Sequence, residues 1–315
     1  MKNPSNQSPR GFTLIELLVA MAITTIIVVV LVSVTAMALE TWNRSRAEVR
    51  AARQAKSMID SMARDFESFV SRKGNTYEWL YAKSNPSDKG PNNDAVKSPN
   101  AIDLIFFSAA TDRYDGYAGS DEVDPDTGKP YDKGGDVSTV GYQLTYKDPI
   151  AGASNDEYKT FVLYRKLVDP KETFETILGQ ASIQTPFRAA GGTAIDREEN
   201  FICENVYQFT VTFHVSATTA AGVKPVTVPV GKGTKSVEEF RVTGSGIQTT
   251  FVPDGVTTEE LMAGRLSAAE ISITVLSDFG MQQMRRRSFK DDDELADFIA
   301  EHSYQYSKVV QLPGS

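Results

Sequence analysis

Between Phe12 and Lys73 the chain contains neither glycine nor proline, and within that stretch Leu17 to Leu39 carries no charged residue. Nothing in the sequence constrains the fold more. Without the usual breakers, the segment reads as one nearly continuous helix, about 90 Å long at 1.5 Å per residue. Its uncharged part alone would rise roughly 35 Å, enough to cross a hydrocarbon core of about 30 Å. Phe12 to Leu39 is apolar on every face, which suits lipid or a helix-packed core. From Glu40 the pattern changes. Ala55, Ile59, Met62, Phe66, and Phe69 with Val70 recur at spacings of three and four, giving one apolar stripe. Arg46, Arg50, Arg53, Asp60, Arg64 and Glu67 fall on other faces. Trp42 stands just past the apolar run, where an interfacial aromatic is expected. Gly74 supplies a C-terminal stop.

Charge divides the chain in the same place. Residues 1–73 carry ten Lys/Arg and six Asp/Glu, whereas the remainder carries twenty-three and thirty-five, within a net charge of −8. A basic stem and an acidic body argue against nucleic-acid binding by the body. The stem's charge suits either an anionic membrane surface or a solvated helix face. Cys203 is the sole cysteine, so no intrachain disulfide forms. Its apolar setting, "FICENVYQF", reads as a buried structural thiol.

Two plain readings fit the apolar run: a membrane anchor, or a secretory signal cut near the small-x-small step Ala36-Met37-Ala38. The run is long for a signal core, and helical periodicity continues through the supposed cut. The residues before the run, however, carry a more specific pattern. "PRGFTLIELLVAMA" resembles the processing signal of type IV prepilins and type II secretion pseudopilins. The resemblance implies a cytoplasmic leader, Met1–Gly11, removed by a prepilin peptidase between Gly11 and Phe12. It implies N-methylation of Phe12. Glu16 then becomes the fifth mature residue, where the family keeps a glutamate.

The expected organisation is a leader at 1–11, a transmembrane or filament-core helix at 12–39, its amphipathic continuation at 40–73, and a β-rich head at 74–315. The implied location is the inner membrane, single-pass, with the head in the periplasm. Flanking charge points the other way. Only Lys2 and Arg10 precede the span, while Arg44, Arg46, Arg50 and Arg53 follow it. The cytoplasmic action of the processing enzyme sets the orientation that the resemblance implies.

Glu16 admits two readings. A carboxylate in the first turns is favoured by the helix dipole. In an assembly, Glu16 would instead pair with the new α-amino group of Phe12 on a neighbouring subunit, rewarding one axial register.

In the head, "AIDLIFFSA", "VGYQLTYK", "TFVLYRKLVD", "FICENVYQFTVTFHV" and "AAEISITVLS" read as strands, the second and third as a hairpin. "PVTVPV" and "EEFRVTG" suggest a peripheral ribbon. Residues 83–100 read as a loop. "DDDELADFIAEH" reads as a short helix capped by Asp291 to Asp293, and "YSKVVQL" as a closing strand. The expected class is α+β, a pilin-like fold with a long N-terminal helix on a mainly antiparallel sheet and long loops. The strand order resembles J-type minor pseudopilins, and more narrowly the prepilin-like Verru_Chthon cassette protein C.

Hydrolase and nucleotide-binding signatures are absent from the sequence, and "GKGTK" at 231–235 reads as a loop tip. The chain is therefore expected not to be an enzyme. His214 and His302 are too isolated for a zinc site. Asp121, Asp124, Asp126 and Asp132, in a glycine-rich acidic insertion, are candidate Ca2+ ligands, though their spacing is not that of an EF-hand. The resemblance implies prepilin peptidase, other pilin subunits, an inner-membrane assembly platform and the membrane itself as partners. An adhesin or binding module with an acidic head is the alternative.

Overall fold

The computed structural model describes residues 13–109, 128, 137–150, 158–220 and 222–313. The chain divides into two compact units, Met1–Val49 and Arg50–Ser315. Helix α1, Leu14–Glu67, is continuous through that boundary over 54 residues. It stops short of Lys73 because the sheet takes over the backbone. The Phe69 N–H donates to Phe66 O, and the Val70 N–H donates to Phe107 O. Gly74 does adopt a positive φ of 82°, but at a turn beyond the helix end.

Two antiparallel sheets follow. The seven-stranded sheet has the order β5-β4-β3-β2-β1-β8-β9. Its strands are β1 Glu78–Ser84, β2 Ile102–Ser108, β3 Ser138–Lys147, β4 Thr160–Val168, β5 Phe201–Glu204, β8 Glu239–Thr243 and β9 Gly246–Thr249. The four-stranded sheet has the order β11-β10-β6-β7, with β6 Val206–Thr219, β7 Gly222–Pro229, β10 Arg265–Leu276 and β11 Ser303–Gln311. Short helices join them: α2 Pro91–Asp94, α3 Pro170–Glu172, α4 Gln184–Ala189 and α5 Thr258–Met262. Longer ones are α6 Asp278–Arg286 and α7 Asp292–His302. A long helix on antiparallel sheets is the expected α+β arrangement.

The stretch 201–215 contains the expected strand as β6, preceded by a second short one, β5. Asn205 breaks it at φ 60° and sends the chain from one sheet to the other. Asparagine tolerates this left-handed conformation better than most side chains. Here its amide is also held, accepting from Thr160 Oγ1 at 2.6 Å and donating to Asp278 Oδ1 at 2.9 Å. The expected ribbon of 225–230 with 238–244 does not form. β7 pairs with β6, and β8 pairs with β1 and β9. Strand β1 was not anticipated, yet it sits inside the larger sheet between β2 and β8.

The four-stranded sheet buries the alternating residues that the period-two pattern marks. Phe209, Val211, Phe213 and Val215 of β6 face inward, as do Ile271, Ile273 and Val275 of β10. They join Leu80, Leu104, Phe106 and Tyr142 of the larger sheet and Ala55, Met58, Met62 and Phe66 of α1 in one core. Phe66 stacks on Phe106 at 4.5 Å between centroids, and Phe213 stacks on Phe240 at 4.3 Å. The sheet's other face forms a second core of Trp79, Tyr81, Ile105 and Phe107, covered by Ile177, Ile183 and Phe187. Gly141 is required at this contact: a Cβ there would lie 2.3 Å from the Phe187 ring.

One charge on α1 is fully buried. Asp65 accepts from Arg165 Nε at 2.8 Å and Nη2 at 3.0 Å, and from the Tyr142 hydroxyl. The two-pronged contact ties α1 to β3 and β4. Desolvation, with the Asp65 charge adding to it, holds the Tyr142 phenol well above its ordinary range. A second tie joins Lys308 of β11 to Asp60 at 2.8 Å.

On the opposite face, burial pushes Lys166 below the ordinary lysine range. Its ammonium donates to the carbonyls of Phe187, Ala190 and Thr193, closing the end of α4. Asp65→Ala leaves Arg165 and Tyr142 without their acceptor and is expected to cost about 3–5 kcal/mol. Gly141→Ala is expected to cost about 1–3 kcal/mol through overpacking. Urea unfolding of the full-length protein in detergent, followed by Trp79 fluorescence, measures both. Wild-type midpoints would contradict the clamp and the close contact respectively.

Candidate functional site

The candidate site is the start of α1, where the chain's most specific motif meets its most apolar surface. Thr13 and Glu16 hold each other. The Thr13 N–H donates to Glu16 Oε2 at 2.9 Å and the Thr13 hydroxyl to the same oxygen at 2.8 Å. In return the Glu16 N–H donates to Thr13 Oγ1 at 3.3 Å. This is a reciprocal capping box, with threonine at the N-cap and glutamate three residues on. It satisfies orphan donors at a helix end that would otherwise need water. The signature Thr-x-x-Glu is legible in the sequence at Thr13 and Glu16.

Every large apolar side chain from Leu14 to Trp42 is exposed. The helix is long and apolar enough to cross a membrane. Its few polar side chains are turned onto their own backbone. Thr24, Thr25, Ser33 and Thr35 donate to carbonyls four residues earlier at 2.8–3.0 Å. Hydroxyls satisfied within the helix suit a medium that offers no hydrogen bonds.

Gly11 and Phe12, the expected cleavage and methylation positions, lie outside the described residues, as do Asp121, Asp124, Asp126 and Asp132. Among the described residues, no group of three His, Cys, Asp or Glu is placed to hold a metal. His214 Nε2 lies 3.9 Å from Glu270 Oε2, beyond hydrogen-bond reach. "GKGTK" sits in the connection between β7 and β8. Cys203 is buried, and desolvation pushes its thiol up to about 12.

With the geometry in place, comparison with known proteins adds one assignment. Residues 7–32 match the family described as "Prokaryotic N-terminal methylation motif". The chain thus carries a prepilin-type signal, whose presence implies processing by a prepilin peptidase. No curated protein and no solved structure matches the chain.

Thr13→Val removes the hydroxyl half of the cap, worth about 1 kcal/mol. Amide hydrogen exchange at Glu16 is then expected to accelerate about fivefold. An unchanged rate would show that the cap contributes nothing. In the folded protein at pH 8, Cys203 is expected to resist maleimide and to react only after unfolding. Rapid native-state labelling, read by mass, would contradict its burial.

Proposed function

We propose that this chain is a structural subunit of the type IV pilin and pseudopilin class, specifically a minor subunit of a secretion or pilus-like filament. One observation carries the reading. The methylation motif at 7–32 runs without interruption into an exposed, membrane-length apolar helix. A simple anchor needs the second feature and has no use for the first. The α+β head, with its helix lying on antiparallel sheets, supports the same reading. In it, the leader stays in the cytoplasm, the head enters the periplasm, and an inner-membrane platform draws the processed subunit into the filament.

Glu16 gains a second role in this reading. Before assembly its carboxylate closes the helix start. A carboxylate at mid-membrane costs ~3 kcal/mol on insertion scales, and less near a helix end. Cleavage creates an α-amino group on Phe12. A neighbouring subunit's amine then offers the carboxylate a cationic partner, and only one axial register brings the two together.

Glu16→Gln separates the two roles, because glutamine still caps a helix but carries no charge. Both Glu16→Gln and Glu16→Ala are expected to insert in the membrane and fail to join filaments. Normal assembly by the glutamine variant would assign Glu16 to capping alone. The mature protein, by intact mass, is expected to begin at a methylated Phe12 and to keep its leader when the prepilin peptidase is deleted. A mature terminus near Leu39 would overturn the filament reading and leave an ordinary secretory signal.

A further inference from the structure

Where β3 ends, the segment leading into β5 leaves a half-open cavity of about 390 Å³. That volume lies within the range of small-ligand sites, about 300–1,000 Å³. Lys147 and Asp148 line it from the end of β3, and Asp196, Arg197, Glu198 and Glu199 from the incoming segment. Four carboxylates against two cations leave the cavity acidic.

The lining divides into groups already used and groups left open. Lys147 donates to the Asp196 carbonyl at 2.7 Å and to its Oδ2 at 2.9 Å, so this pair forms a finished wall. Asp148 is buried and accepts from the Ile150 N–H at 2.9 Å. Glu198 and Glu199 are exposed and make no ion pair or hydrogen bond among the described residues.

A second feature lies behind that wall. Gln143 pairs with Tyr164 across β3 and β4, so alternation puts Lys147 and Tyr164 on the same face of the sheet. Lys147 Nζ stands 5.7 Å from the centre of the Tyr164 ring. Tyr164 is 0% exposed, and its hydroxyl has no hydrogen-bond partner among the described residues. Burial pushes the phenol up to about 12, and the charges that add to this are Asp196, Asp148 and Glu198, all on the cavity. The hydroxyl therefore faces the cavity's carboxylates. A buried hydroxyl without a partner lowers stability and calls for a reason. A ligand that bonds it supplies one.

The open groups are acceptors: two exposed carboxylates and, deeper, a phenol oxygen. An anion is repelled by this set. A lone ammonium offers three donors at one point, whereas a guanidinium spreads five N–H groups over a fixed plane. We propose that the cavity binds a guanidinium group, the side chain of an arginine presented by a partner protein, with Glu198 and Glu199 accepting at the rim and the Tyr164 hydroxyl accepting within. The site belongs to the head, so it stands or falls without reference to cleavage, membrane or filament.

The test titrates full-length protein in nonionic detergent with N-acetyl-arginine amide, followed by saturation-transfer NMR. The citrulline analogue serves as the neutral isostere and N-acetyl-lysine amide as the point charge. The arginine compound is expected to saturate with a Kd of about 1 mM. Citrulline is expected to bind at least about tenfold more weakly, and lysine about threefold more weakly. Glu198→Gln with Glu199→Gln is expected to weaken arginine about tenfold. Because both side chains are exposed, the urea midpoint should not move. Tyr164→Phe is expected to weaken arginine about threefold while the urea midpoint holds or rises, since no bond within the protein is lost.

Absence of saturation by about 20 mM arginine compound would overturn the proposal. So would citrulline binding as well as arginine, or affinity indifferent to the glutamate pair. Lysine binding as tightly as arginine would overturn the guanidinium assignment. A lowered urea midpoint in Tyr164→Phe with unchanged affinity would make the hydroxyl structural and overturn its part in the site.

Discussion

The buried contact of Asp65 with Arg165 and Tyr142 governs how the head holds its helix. A fully buried carboxylate is tolerated only with its charge and lone pairs answered. Arg165 answers with two parallel donors and Tyr142 with a hydroxyl, from neighbouring strands. Because β3 and β4 are paired in register, with Tyr142 opposite Arg165, both partners reach the same carboxylate. The helix can satisfy Asp65 in only one rotation and one height. The stack of Phe66 on Phe106 and the tie from Asp60 to Lys308 then agree with that placement. Hydrophobic burial supplies the drive, and the ion pair supplies the register.

At its other end the same helix obeys a different solvent. Threonine and serine hydroxyls turn back to carbonyls, and large apolar side chains cover the surface. Glu16 is the exception that the cap explains, since its carboxylate closes the first turn through Thr13. One side chain thus serves the isolated subunit by capping and, in the proposed filament, a neighbour by pairing.

The head shows why local patterns under-describe a β-rich domain. Alternation marked β6 and β10, which bury one row of Val, Ile, Leu or Phe, whereas β2, β3 and β4 were marked by their runs of β-branched and aromatic residues. It did not mark β1, "EWLYAKS", whose inner and outer residues are buried on both faces of the larger sheet. A doubly buried strand loses the alternation that would reveal it, and β1, interrupted by Glu78 and Lys83, also lacks the continuous apolar run that marks β2. Nor did it separate β5 from β6, because Asn205 is a single residue whose turn is enforced by Thr160 and Asp278, both remote in sequence.

By itself the sequence determined the long helix, its apolar and amphipathic halves, the cleavage-and-methylation signature around Gly11, Phe12 and Glu16, and the α+β class. Those features are local: composition, periodicity and a short motif carry them without reference to the rest of the chain. Tertiary structure alone decided which acidic residue of α1 is buried, which strands share a sheet, and why Gly141 must lack a side chain under Phe187. Each of these depends on residues brought together from distant parts of the chain, and burial and pairing exist only once those parts meet.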